Sequence, residues 1–227
     1  MVNKINFSKF SYLISDWDGT LADSFKPHTE SFIKTVHDSF GVGKEKAKEI
    51  YFNTDGKPLT LQIKKAAKTV GFNVSDTLPY EDKFWENLKG LMPETVPGAK
   101  EFLTLLKNKG FKIAVWSGTK TDILHERIDL LSFFSLVDFY IGNEPGNKTQ
   151  VKGPFFFTKI AERFGIPEEK LREKALVIGD GTGDMEAGKA VGATTVGIAR
   201  KQPKEQLIKA GADMVVMDIE ELGRLFK

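Results

Sequence analysis

Tyr12-Leu13-Ile14-Ser15-Asp16-Trp17-Asp18-Gly19-Thr20-Leu21 is the stretch on which the reading of this chain turns. An apolar run leads into two carboxylates spaced two apart, and the run breaks at Gly19. A strand rises about 3.3 Å per residue and sends alternate side chains to one face, so Asp16 and Asp18 should emerge together at its carboxyl end. In an open α/β sheet that end is where ligands bind. Two close carboxylates repel unless a cation or a shared proton intervenes, so the pair suits Mg²⁺ and gives its members different tasks. A surface Asp-x-Asp-Gly turn has the same local sequence, and only the other strand ends separate the two readings.

Working outward, short apolar runs recur at 111–117, 139–141, 175–180, 194–198 and 214–217. Amphipathic segments lie between the later ones. Pro97-Gly98 opens one that carries Phe102, Leu105 and Leu106, and Pro154 opens another that carries Phe156, Ile160 and Phe164 before Gly165. Proline near a start and glycine just past an end is the helical asymmetry. This rhythm predicts an α/β fold, a doubly wound parallel sheet with a Rossmann-like core and helices on both faces.

The interval 24–95 interrupts that rhythm with helical periodicity and no strongly apolar strand. Phe32, Val36 and Phe40 recur at spacing four, as do Tyr80, Phe84 and Leu88, while Leu59, Ile63, Ala66, Ala67 and Val70 form one stripe. The pattern predicts a small helical cap domain inserted after the first strand, with residues 1–23 and 96–227 forming the catalytic core. Extra helices packed flat on the sheet would have the same pattern.

Composition narrows the functional classes. The 227 residues, 41% hydrophobic and 28% charged, can bury a full core. A formal net charge of +2 implies no strong field toward nucleic acid or a membrane. The absence of cysteine excludes disulfides, thiolate zinc sites and thiol nucleophiles. His28, His37 and His125 are scattered without metal-ligand spacing. The opening residues lack the apolar core of a secretion signal and no apolar run nears transmembrane length, so the expected location is cytoplasmic.

Three further strand ends carry polar groups. Ser117-Gly118-Thr119 follows the 111–117 run, and a hydroxyl with exposed N–H groups at a glycine turn suits phosphate oxygens, although it also serves as an ordinary cap. Lys152, before Gly153-Pro154, could bring an ammonium to a phosphate and to the carboxylates, with Lys148 a nearby competitor. Ala175-Leu176-Val177-Ile178-Gly179 delivers Asp180 at a buried strand end, where a carboxylate is costly unless paired or metal-bound. Asp184 follows one helical turn later and could equally act as a first-turn acid. Acid pair, hydroxyl, ammonium and acid together describe a Mg²⁺-dependent phosphoryl-transfer site.

The chain resembles the haloacid dehalogenase superfamily, and most closely its phosphoglycolate-phosphatase-type branch. Asp16-Trp17-Asp18-Gly19-Thr20-Leu21-Ala22-Asp23-Ser24 resembles the first motif, Ser117-Gly118-Thr119 the second, Lys152 the third, and Gly179-Asp180 with Asp184 the fourth. Val96-Pro97-Gly98-Ala99 and the segment from Asp184 to Ala193 also match that branch. The resemblance implies that Asp16 is the nucleophile and that Asp18 is the general acid and base. It implies Mg²⁺ held by Asp16, the backbone carbonyl of Asp18 and Asp180. It implies a phosphoryl group held by Ser117, Gly118 and Lys152, with Asp184 orienting Lys152 or a metal-bound water. The turn Thr54-Asp55-Gly56-Lys57-Pro58 resembles the cap's specificity loop, with Lys57 the group to meet an anionic substrate.

The implied activity is hydrolysis of a small-molecule phosphate ester such as 2-phosphoglycolate, with no nucleic-acid or membrane partner. An aspartate at position 18 sets the chain apart from carbon–halogen and phosphonate-cleaving relatives. The second motif more often reads Thr-Asn-Lys and the third Lys-Pro-x-Pro, so the substrate itself is not implied. Eleven lysines and ten acids over 24–95 give the insertion no basic funnel for a highly charged substrate. A phosphomutase of the β-phosphoglucomutase kind would share the Asp pair. A non-catalytic phospho-accepting regulatory domain would share acids, hydroxyl and lysine, but at about half the length and without the insertion.

Overall fold

A computed structural model describes residues 5–54, 58–144 and 152–226. The chain runs β1 (Tyr12–Ser15), β2 (Ala22–Asp23), α1 (Phe25–Phe40), α2 (Lys44–Phe52), α3 (Leu59–Lys68), α4 (Leu78–Lys89) and β3 (Glu94–Thr95). Strands and helices then alternate through α5 (Ala99–Asn108), β4 (Lys112–Lys120), α6 (Thr121–Leu130), β5 (Phe139–Asn143), α7 (Pro154–Phe164) and α8 (Glu168–Lys174). The last elements are β6 (Ala175–Gly179), α9 (Thr182–Ala190), β7 (Thr194–Ile198), α10 (Lys204–Lys209), β8 (Met214–Val216) and α11 (Ile219–Arg224).

Six strands form one sheet in the order β5-β4-β1-β6-β7-β8, and every pairing is parallel. The chain builds outward from β1 on one side through β4 and β5, then crosses to build β6, β7 and β8 on the other. The order therefore reverses beside β1, where an open sheet leaves a crevice at its carboxyl edge. Period-two alternation explains how both faces are covered. Leu13 faces Phe102, Leu106 and Leu222 with Val115 and Ile178. Tyr12 and Ile14 face the opposite layer, with Trp116 and Val177 against Phe156, Phe157 and Ile160 of α7. The Phe155-Phe156-Phe157 run is thus mainly helix-face core, with only Phe155 partly exposed. The doubly wound α/β fold is as the periodicity indicates.

One boundary differs from the sequence reading. The apolar run ends near residue 117, yet β4 continues to Lys120, which pairs with Asn143 after a register shift that follows Trp116. An irregularity of this kind takes residues out of the ladder and re-aims their side chains. Ser117 and Thr119 lie within it.

The chain divides into two compact units, one holding the sheet and the other running Ser24–Pro93. In the second unit, Phe32, Val36 and Phe40 of α1 pack with Ile50 and Tyr51 of α2, Ile63 and Ala67 of α3, and Phe84 and Leu88 of α4. Each fully buried large side chain of this kind contributes roughly 1.5–3 kcal/mol. Gly41 ends α1 in the left-handed conformation, its N–H donating to the His37 carbonyl at 2.8 Å. Helices are tied to one another by Ser31 Oγ donating to the Phe84 carbonyl (2.6 Å) and Asn87 Nδ2 donating to Thr35 Oγ1 (3.1 Å).

Candidate active site

β1 pairs with β4 on one side and β6 on the other, so three functional segments leave the sheet side by side. Asp16 N donates to the Ile178 carbonyl at 2.9 Å, extending the β1–β6 register one residue beyond the strand. Trp17 takes the opposite face from its neighbours and is fully buried, edge-on to Phe133 with ring centroids 5.2 Å apart. That anchor leaves Asp16 and Asp18 on the same side of the backbone, as the spacing implies.

Asp16, Asp180 and Asp184 each place a carboxylate oxygen within 4.8 Å of the others. Lys152 Nζ donates to Asp16 Oδ1 at 2.5 Å and to Asp184 Oδ1 at 2.7 Å, bridging the third and fourth strand ends to the first. Asp184 Oδ2 accepts from Gly181 N at 3.1 Å, so this residue serves both as a first-turn acid of α9 and as a partner of Lys152. Two glycines open the space. A Cβ on Gly19, which sits at φ +87°, would lie 2.1 Å from Asp180 Oδ2, and one on Gly179 would lie 2.4 Å from the Asp184 side chain.

The two carboxylates of the first loop sit in opposite environments. Burial, reinforced by the charges of Asp184 and Asp180, raises the Asp16 carboxyl well above the usual carboxylate range, against the pull of Lys152. Burial disfavours the Lys152 ammonium, but Asp16 and Asp184 more than offset it and hold that group protonated far above an ordinary lysine. Asp18 Oδ2 accepts from two hydroxyls, Ser117 Oγ at 2.8 Å and Thr119 Oγ1 at 2.7 Å, and its carboxylate interacts with the buried Arg127 guanidinium. Ser117 Oγ also accepts from Thr119 N at 2.9 Å.

The structure thus brings Asp16, Asp180, Asp184 and Lys152 together, and places Asp18 against Ser117. The Ser117 hydroxyl, expected at a phosphate, here donates to Asp18. Gly118 is exposed at the end of β4. Lys57 lies outside the described residues, as does Lys148. Sequence reasoning missed four contributors. Thr20 Oγ1 donates to Asp16 Oδ2 at 3.1 Å, and Thr119 holds Asp18. Arg127 of α6 is buried, its guanidinium pulled down in pKa by burial and held up by the charges of Asp18 and Glu126. A signal for it existed, since a charge at 127 falls on the apolar stripe of Ile123, Leu124 and Ile128. Arg200 donates to the Gly19 carbonyl and to Asp23, contacts that no local pattern announces.

The donor set fits a hard divalent cation. Three carboxylates crowd one point, with Lys152 bridging Asp16 and Asp184, so an additional cation would meet a concentration of hard oxygen donors. Lys201 Nζ approaches Asp180 Oδ2 only to 4.0 Å. Both Asp184 oxygens accept, from Lys152 and Gly181, and both Asp16 oxygens accept, from Lys152 and Thr20, so a cation bound here would compete with those donors.

The chain is similar to several known proteins. The chain is 30% identical over 197 residues to a phosphoglycolate phosphatase of Aquifex aeolicus, covering 81% of this chain and 82% of that one. It is 26% identical over 223 residues, 96% of both chains, to a Caldanaerobacter subterraneus protein named "Putative pyrophosphatase PpaX". A haloacid dehalogenase-like family hydrolase from Streptococcus pneumoniae shares the fold with a TM-score of 0.79 at 16% identity, covering 97% of this chain and 100% of that one. The model of the haloacid dehalogenase-like hydrolases matches residues 13–198, from the strand of the acid pair to the end of β7. The chain therefore belongs to the haloacid dehalogenase-like hydrolase family.

Proposed function

We propose that this chain is a Mg²⁺-dependent phosphatase of small phosphomonoesters, working through an aspartyl-phosphate on Asp16. The observation that carries the reading is the contrast within one loop: Asp16 sits among carboxylates and a bridging lysine, whereas Asp18 accepts from two hydroxyls and interacts with the Arg127 guanidinium. Neighbouring carboxyl groups with different environments divide nucleophilic from acid–base work. Asp16 attacks phosphorus in line. Asp18 protonates the leaving alcohol oxygen and then takes a proton from the water that hydrolyses the intermediate. Lys152 stays charged because two carboxylates face it, and it offsets the negative charge that gathers around the phosphoryl group. Asp184 fixes the lysine. Asp16, Asp180 and the Asp18 carbonyl would hold Mg²⁺, which would supply further neutralisation of the phosphoryl charge. Gly118 and Ser117 complete the phosphate cradle, and the Ser117 hydroxyl exchanges its Asp18 contact for phosphate oxygen when substrate is present. Residues 24–95 act as a cap that selects the substrate, with Lys57 meeting its anionic group.

The names of the relatives suggest two substrates to compare, 2-phosphoglycolate and pyrophosphate. Phosphate release from both, from an aryl phosphate and from several alkyl phosphates should require Mg²⁺ and stop on chelation. Asp18→Asn should slow alkyl esters more than aryl phosphate or pyrophosphate, whose leaving groups need less protonation, and should let a phosphorylated enzyme accumulate. Equal losses on every substrate, with no trapped intermediate, would remove the acid–base role from Asp18.

A further inference from the structure

Arg200 reaches across 181 residues of sequence to the segment that carries the acid pair. Its Nη1 donates to the Gly19 carbonyl at 3.0 Å and its Nη2 to Asp23 Oδ2 at 2.9 Å. The turn that it grips is partly closed on itself, and its far end is held by Val96 N, which donates to the Leu21 carbonyl at 3.0 Å. Gly19 N donates to the Ala22 carbonyl at 2.7 Å, while the N–H groups of Thr20, Leu21 and Ala22 all point to the Trp17 carbonyl. Those bonds fix the inside of the turn, and the buried Trp17 and Leu21 and the β2–β3 pairing anchor its two ends, while Arg200 ties its Gly19 tip to the segment after β7. Gly19 is hemmed in on the far side, since even a Cβ there would overlap the Asp180 carboxylate. A displacement of this backbone therefore shifts Asp18 and moves against Asp180 in the same motion.

Arg200 is well suited to prevent that displacement. It follows β7 directly, with Ala199 N bonded to the Val216 carbonyl at 2.8 Å and Arg200 N to the Ile198 carbonyl at 2.9 Å, so its backbone is fixed to the sheet. A planar guanidinium can serve two acceptors at a set separation, which a lysine ammonium cannot reproduce. The side chain is 22% exposed, so this is a partly screened pair whose value lies in geometry more than in attraction. Its second acceptor, Asp23, belongs to β2, which pairs with β3 where the chain leaves and re-enters the sheet unit.

The geometry points to Arg200 as a positioning residue that sets the Gly19–Asp23 turn against Asp180, and so holds Asp18 in register with Asp16. Its kinetic consequence rests on the phosphatase reading; its structural consequence does not. Hydrogen exchange on the metal-free full chain decides the structural part. Arg200→Ala should speed exchange of the Gly19, Thr20, Leu21 and Ala22 amides while leaving β6 and β7 as protected as in the parent. Arg200→Lys should fall between the two. In the presence of Mg²⁺, Arg200→Ala should lower kcat on aryl phosphate by about tenfold or more with little change in KM, as expected when a reacting group is misplaced. Guanidinium at a concentration too low to denature should restore part of that loss. Asp23→Asn should add little to it, because the ion pair that it weakens is already lost in Arg200→Ala.

Unchanged exchange over residues 19–22 would overturn the proposal, and so would faster exchange throughout the sheet, which would make Arg200 a prop of the fold. A parental kcat in an Arg200→Ala chain whose turn has loosened would overturn the link to catalysis. If the parent chain hydrolyses no phosphate compound, the phosphatase reading fails, while the exchange data still decide the role of Arg200.

Discussion

The sheet unit and the helical unit both bury uncharged polar groups, but among the described residues only the sheet unit buries charge. Among the described residues, the buried charged side chains are Asp16, Arg127, Asp180 and Asp184, all in the sheet unit. The helical unit buries Ser24, Thr29, Ser31, Thr35, Thr54, Gln62 and Thr77, every one uncharged. Hydroxyls and amides can be satisfied by neighbouring backbone, as Thr29 is by the Phe25 carbonyl and Thr54 by the Ile50 carbonyl. Buried charge costs several kcal/mol unless closely paired, and here three acids crowd one point, with Lys152 bridging two of them and Lys201 4.0 Å from the third. The difference teaches where stability has been given up. One unit is built for packing, and the other retains a charge cluster whose perturbed carboxyl is expected at a reaction centre.

The largest expected effect separates activity from stability at Asp16. Asp16→Asn should lower kcat on aryl phosphate by at least about a thousandfold, because the nucleophilic carboxylate is gone. Substantial residual turnover would take Asp16 out of the nucleophile role. The same substitution should not weaken the fold. Burial and the neighbouring acids raise the Asp16 pKa in the folded protein, so the folded state holds this proton more tightly than the unfolded chain. Stability is then lost as pH rises from about 4, the unfolded carboxyl value, through the raised folded value. Metal-free melting curves should accordingly show a smaller loss with rising pH in Asp16→Asn than in the parent. A steeper loss in the variant would mean that Asp16 pays its way structurally through Lys152.

Phe32→Ala probes the other side of the comparison. Phe32 is fully buried in the four-helix core, and its truncation should cost about 3–5 kcal/mol of stability in that unit. Calorimetry should show a lower unfolding midpoint, while turnover of aryl phosphate well below that midpoint stays near the parental value. Loss of turnover in the still-folded variant would show that the helical unit takes part in the chemistry.

The smallest effect expected is at Lys57. Lys57→Ala should reduce kcat/KM for the best small anionic substrate by about tenfold, equivalent to about 1.4 kcal/mol, and should leave aryl phosphate nearly unchanged. Equal losses on both would give Lys57 a role in the chemistry or the fold. No loss on either would leave the helical unit without its proposed contact.

Much of the fold could be read directly from periodicity. Apolar runs at 12–14 and 175–178, each ending in an acid, alternate with helices whose buried faces repeat at three and four, and that pattern leads to a parallel sheet covered on both sides. The helical insertion was legible for the same reason, since Phe32, Val36 and Phe40 mark one stripe of α1. Asp16 and Asp180 were legible because strand direction alone delivers them to one edge.

The sequence by itself determined the class of fold, the sheet edge to which Asp16 and Asp180 are delivered, and the acids and lysine available there. Only the tertiary structure decided who meets whom. Ser117 and Thr119 turn to Asp18 because β4 shifts register beyond Trp116, an irregularity that residue type does not announce. Lys152 spans Asp16 and Asp184, and Arg200 holds Gly19 and Asp23, across separations of 32 to 181 residues. Local propensity reflects the backbone preferences of a few neighbouring residues, whereas these contacts arise where separate strand ends converge. Their geometry is set by packing of the whole sheet, so no short window of sequence contains it.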